Sequence, residues 1–270
     1  MSALRAPVLA AGLAAVLALL TGCVPAEETT PTPSTTAAAA DPSEDATSLP
    51  VPSQSPKAAK KKNDDAAGAG EDHTDPRSIG VVVNKLRPLV PLAYHPEDLR
   101  RPAVSIGTGG ESALLRDAVA DATEKMFSAA AADGAPMVMV SGFRSYATQV
   151  DTYNHWVRQH GSEAAADMIS ARPGYSEHQT GLSLDIGDST GACSLQQCFA
   201  DTAAGIWVAN NAVRFGFIIR YPPGEEAVTG YSPEPWHLRY VGKKVAGTMA
   251  KRSINSLEEY FGLPPAPRYS

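Results

Sequence analysis

The sequence predicts an α+β domain, a small sheet with helices gathered around it, behind a long lead that buries nothing. Short apolar or alternating runs at residues 137–140, 182–186, 217–221 and 236–238 read as strands. Longer runs at 112–132, 146–160 and 202–215 carry apolar side chains at helical spacing. The two kinds of run do not alternate regularly, as they would in a parallel β-α-β fold. About 190 residues follow the lead, enough for one domain with a sizeable core.

Residues 1–22 have the make-up of an export signal. Arg5 supplies the positive start, and residues 6–20 form an apolar run shorter than the roughly 20 residues of a membrane span. Leu20-Thr21-Gly22-Cys23 then resembles a bacterial lipoprotein cleavage site, which implies that Cys23 is lipidated and anchors the chain without spanning the membrane. Residues 23–78 are rich in Pro, Thr, Ser and Ala and almost free of large apolar side chains, so they are expected to be a disordered tether. Such a tether reaches roughly 40 Å as a flexible coil and about 190 Å stretched. Lys57, Lys60, Lys61 and Lys62 read as its solvated face.

Residues 84–102 are proline-rich and are expected to wrap the surface. A helix over 112–132 is read from Leu114, Leu115, Ala118, Val119, Ala122 and Met126, with Gly134 ending it. The apolar strand at 137–140 delivers residues 141–145 at its end. Ser145 caps the next helix, which stops at Gly161. His155 and His160 lie about 140° apart around that helix, so they read as surface histidines rather than a metal pair. A third helix at 202–215 ends at Gly216, the strand 217–221 follows, and helices at 241–250 and 256–260 close the chain.

Chemistry concentrates in two stretches. In Ser176-Glu177-His178-Gln179-Thr180-Gly181-Leu182-Ser183-Leu184-Asp185-Ile186, period-two alternation turns Asp185 away from the core face. Gly181 lets the preceding turn bring His178 close. In Glu234-Pro235-Trp236-His237-Leu238-Arg239-Tyr240, Pro235 argues against a helix and the alternation again reads as strand. His178, Asp185 and His237 make three ligands for a zinc-like ion with a fourth position open, the catalytic rather than the structural kind. Glu234 sits beside them.

These stretches, with Ser141-Gly142-Phe143-Arg144-Ser145, Asn84-Lys85-Leu86-Arg87-Pro88 and Gly230-Tyr231, resemble in order and spacing the zinc D-alanyl-D-alanine carboxypeptidases of the VanY type over residues 79–262. The resemblance implies a Hedgehog/D,D-peptidase-like single domain at 79–270 with a small antiparallel sheet. It implies Zn2+ on His178, Asp185 and His237, with Glu234 as general base. Arg144 would hold the oxyanion or a substrate carboxylate. Gln149 and Ser176 would be substrate contacts, while Ser183, where many relatives carry a small apolar residue, is not expected to matter. The implied substrate is the peptidoglycan stem peptide, met by a lipid-anchored monomer on the outer face of the bacterial cytoplasmic membrane. An L,D-carboxypeptidase shares these motifs, and pocket shape decides between the two. A non-catalytic wall-binding module would have no need of Glu234. A serine D,D-peptidase would need S-x-x-K, which the chain lacks. For an exported chain, Cys193 and Cys198 are expected to join. The net charge of −6 gives no reason to expect a nucleic-acid partner.

Overall fold

The computed structural model describes residues 72–270. The expected signal, Cys23 and nearly all of the tether lie outside the described residues. The elements run β1 (Leu99–Arg100), β2 (Leu115–Arg116), α1 (Asp117–Ala132), β3 (Met137–Ser141), α2 (Tyr146–His160), α3 (Glu163–Ala166) and β4 (Ser183–Asp188). There follow α4 (Ala203–Asn211), β5 (Phe217–Ile219), α5 (Glu226–Thr229), β6 (His237–Tyr240), α6 (Gly242–Arg252) and α7 (Leu257–Phe261). Strands β3-β4-β6-β5 form one antiparallel sheet, and β1 and β2 pair separately. The α+β class and the small antiparallel sheet are as the sequence predicts.

Period-two alternation gives this sheet two unlike faces. On one, Leu184 lies opposite Leu238 and Met139 opposite Ile186. These pack into the main core with Val119 and Met126 of α1 and Trp207 and Val208 of α4. Truncating a fully buried leucine such as Leu184 would cost about 2–5 kcal/mol. On the other face, Ser183 lies opposite Arg239 and Asp185 opposite His237. Every residue of β4 is buried, so the polar face is covered too. A second apolar cluster joins Val82 and Ile218 to Val245, Met249, Leu257 and Tyr260 of α6 and α7.

Helix ends follow local chemistry. Thr148 N–H donates to Ser145 Oγ at 3.2 Å to start α2, and Gly161 at φ 78° ends it. The hydroxyls of Thr202 and Ser256 cap α4 and α7 in the same way. The helix expected from residue 112, however, begins at Asp117. Residues Gly110–Ala113 form a 3₁₀ turn, and Arg116 is extended at ψ 150°. Arg116 donates to Asp98 at 2.9 Å and to the Arg77 carbonyl at 2.8 Å, while its N–H donates to Gly181 at 3.1 Å. These long-range bonds outweigh helix propensity. The expected helix 202–215 is α4 followed by a 3₁₀ turn, Ala212–Phe215. The segment expected to wrap the surface is preceded by a core one, Val81 to Val83, and Leu89 within it is 1% exposed. Cys193 and Cys198 are disulfide-bonded.

Candidate functional site

Direct opposition of β4 and β6 sets Asp185 beside His237, with Oδ1 and Nδ1 3.1 Å apart. His178 arrives from the 3₁₀ turn Glu177–Thr180, which closes at Gly181 with φ 65°. A Cβ on Gly181 would lie 2.9 Å from Arg116 Cγ, so this turn requires glycine on both conformational and steric grounds. His178 Nε2 then lies 3.3 Å from Asp185 Oδ2. The ligand atoms of all three residues fall within 4.8 Å of one another, and all three are buried.

The outer ring nitrogens fix which atoms face inward. His178 Nδ1 lies 2.7 Å from the Gly142 carbonyl, which can only accept, so the hydrogen is on Nδ1 and the Nε2 lone pair is free. His237 turns Nδ1 to Asp185 at 3.1 Å, while its Nε2 is buried without a hydrogen-bond partner, 3.5 Å from Glu177 Oε2. Two oriented imidazoles and a carboxylate fit a catalytic zinc ion, outer partners included. The electrostatics agree. Burial opposes charge on Asp185, yet the two histidines hold its carboxyl well below the usual range. Burial likewise opposes charge on His237, but Asp185 and Glu177 outweigh it and raise its pKa to about 10. The cluster draws positive charge, and a divalent cation supplies more of it than one proton.

Glu234 precedes β6 with Oε2 3.7 Å from His237 Nδ1, and burial pushes its pKa up to about 7. Arg144 follows β3. Its N–H donates to the His178 carbonyl at 3.2 Å, and its guanidinium donates to Gln149 Oε1 at 3.0 Å and Ser141 Oγ at 3.4 Å. Among the described residues no carboxylate lies within 4.0 Å of that guanidinium, and burial lowers its pKa. Both residues line a cleft of about 450 Å³ with the three donors and Ser176, and Trp156, Ile169, Leu195 and Trp236 give it apolar walls.

Two polar residues gain partners in the fold. Gln149 is fully buried, and its amide donates to Ser170 Oγ at 3.2 Å and the Ala171 carbonyl at 2.6 Å. Its amide oxygen accepts from Arg144, so it positions the guanidinium. Ser183, expected not to matter, is buried and donates to Glu177 Oε2 at 3.2 Å. Glu177 itself escaped the sequence reading. Its Oε1 accepts from Arg220 at 2.9 Å and Arg239 at 2.8 Å, and Arg220 forks onto Glu258 at 2.8 and 3.1 Å. One signal was available: Arg239 shares a strand face with His237, so a buried anion had to meet it. His155 and His160 are exposed, as expected.

Two histidines and an aspartate at the floor of an open cleft, with a carboxylate and a guanidinium without a carboxylate partner beside them, form an arrangement of the metallopeptidase kind. A family model described as D-alanyl-D-alanine carboxypeptidase, VanY, matches residues 112–243. A putative carboxypeptidase of Bacillus subtilis, YodJ, is 43% identical over 69% of this chain and 68% of its own length. A D-alanyl-D-alanine carboxypeptidase of Enterococcus faecalis is 32% identical over 67% of this chain and 65% of its own. Among solved structures, the LdcB LD-carboxypeptidase matches with TM-score 0.65 and 43% identity over 69% of this chain and 87% of that one. A zinc complex of a variant of the vancomycin-resistance D,D-pentapeptidase VanY matches with TM-score 0.56 and 32% identity over 67% and 97%. The chain belongs to the VanY family of D-alanyl-D-alanine carboxypeptidases.

Proposed function

We propose that the chain is a zinc-dependent carboxypeptidase that removes the terminal D-alanine from peptidoglycan stem peptides. The observation that carries this is one cleft holding both the His178–Asp185–His237 donor set and the Arg144 guanidinium without a carboxylate partner. Zinc bound by the three donors would polarise the scissile carbonyl and acidify a water. Glu234 takes the water's proton and passes it to the departing amine. A pKa near 7 suits it to both acts. Arg144, held by Gln149 and Ser141, grips the chain-terminal carboxylate by its fork. Amidating that carboxylate should cut kcat/KM severely, and an unchanged rate would overturn end-trimming.

A second reading concerns which bond is cut. Solved structures of LdcB and of an L,D-carboxypeptidase DacB share 43% and 37% identity with this chain, against 32% and 31% for two VanY structures. That difference supports cleavage at an L,D bond in tetrapeptide stems. Rates on tetrapeptide and pentapeptide stems decide between the two. The Cys23 pattern supports a lipid anchor on the outer membrane face, and Cys23→Ala should then release the protein from the membrane fraction.

A further inference from the structure

After α7 the chain folds back onto the domain. Ala266 is fully buried, and its N–H donates to the Val228 carbonyl at 2.7 Å. So close an approach requires glycine at 230, where φ is 81° and a Cβ would lie 2.7 Å from the Ala266 carbonyl oxygen. Pro264, Pro265 and Pro267 restrict the backbone on either side of that anchor. The segment therefore delivers Tyr269 to one place.

There Tyr269 meets two walls of the cleft at once. Its hydroxyl accepts from the Arg172 N–H at 2.8 Å and lies 3.5 Å from the Tyr231 hydroxyl. Its ring takes Tyr175 edge-on at 5.2 Å and the Arg172 guanidinium over its face at 4.5 Å. Asp167 fixes that guanidinium with bonds of 2.9 and 3.0 Å, and itself accepts from Tyr153 of α2 at 2.7 Å. On the other wall, Lys85 donates to the Gly230 carbonyl at 2.5 Å and lies 4.4 Å over the Tyr231 ring. Ala171, Ser176 and Tyr231 line the cleft, and Tyr269 stands behind that lining. Among the described residues, no hydrogen bond or ring contact joins Tyr231 to residues 170–176 except by way of Tyr269.

We propose that Tyr269 is a positioning residue: it latches the wall at Ala171 and Ser176 to the wall at Tyr231, and so sets how far apart the two stand. What enters between them rests on the carboxypeptidase reading above. A cleft must hold its walls at one spacing to bind substrate without first ordering itself. The latch acts through Arg172 and Tyr231, and it leaves the metal donors and Glu234 to the sheet.

The test compares wild type with Tyr269→Phe, which loses only the hydroxyl, and Tyr269→Ala, which loses the ring as well. Kinetics on tetrapeptide and pentapeptide stems are read beside amide hydrogen exchange, which needs no activity. KM should rise about three- to tenfold in Tyr269→Phe and further in Tyr269→Ala, the scale of a lost hydrogen bond and then of the ring. Turnover should stay within about twofold, because the lost binding is common to ground and transition states. Amides of residues 168–176 and 228–231 should exchange faster, while those of β4 and β6 keep their protection. A tyrosine that merely supports the fold would lower stability and speed exchange throughout, with KM unmoved; that pattern overturns the proposal. An unchanged KM, or unchanged exchange at 168–176, overturns it too. Should Tyr269→Ala fail to fold, Tyr269→Phe carries both measurements. A wild type that cleaves neither stem overturns the carboxypeptidase reading, and the exchange pattern then decides the latch by itself.

Discussion

At the floor of the cleft, His178, Asp185 and His237 are 4–6% exposed and hang on paired strands or on the turn that feeds them. At its rim, Ile169 and Leu195 are 43% and 45% exposed and come from loops. The floor is tied down by charged hydrogen bonds that reach from Glu177 through Arg220 to Glu258. The rim at Leu195 is tied by a disulfide, one amide hydrogen bond and a buried phenylalanine. Chemistry needs donor atoms held to a fraction of an ångström, which a sheet supplies. Selectivity needs a surface that can change without disturbing those atoms, which loops on a rigid scaffold supply.

Substitutions at the floor should be the most damaging. Glu234→Gln should keep the metal yet lower kcat roughly 10²–10⁴-fold, the usual weight of a general base. His237→Ala should lose both metal and turnover. Metal analysis beside rate measurement separates the two, and a Glu234→Gln enzyme near full rate would break the assignment. Arg144→Lys keeps the charge but not the fork, and should lower kcat/KM about 10–100-fold on free-acid substrates. An equal loss on amidated substrates would move Arg144 to oxyanion stabilisation.

Glu177→Gln should weaken zinc binding roughly 10–100-fold, as partners behind metal ligands commonly do, read by competition with a chelator. Further along the same network, burial opposes ionisation of Glu258, but Arg220 more than offsets it and its pKa lies below 4.5. A lowered carboxyl stabilises the fold fully above its unfolded pKa. Stability should therefore decline as pH falls below about 4.5 and through the folded value. Glu258→Gln should flatten that decline in denaturant titrations, and an unaltered pH profile would remove Glu258 from the account. At the rim, replacing Cys193 and Cys198 by serine should cost only about 2 kcal/mol of stability, given the short loop they close. A roughly tenfold loss of zinc affinity in that variant, as for Glu177→Gln, would erase the contrast between floor and rim.

What the sequence revealed follows the range of the interactions involved. Helix α2 was legible from end to end because its cap, Ser145, and its stop, Gly161, are local. The donors were legible because alternation puts Asp185 and His237 on a polar strand face. The start of α1 was not, since Arg116 is drawn into β2 by partners at Arg77, Asp98 and Gly181. Glu177 was hidden for the same reason: its guanidinium partners stand 43 and 62 residues away. Ser183 looked neutral as a small side chain on a strand, and only the folded position of Glu177 gives its hydroxyl a partner.

Because Asp185 and His237 are direct cross-strand neighbours, an ion held between them would sense the alignment of β4 on β6. A slip of one residue turns every side chain of a strand to the opposite face and dissolves the donor pair. Binding would then add stability to the correctly aligned sheet and to no shifted one. The ion would proofread strand register as the chain folds, before any substrate arrives.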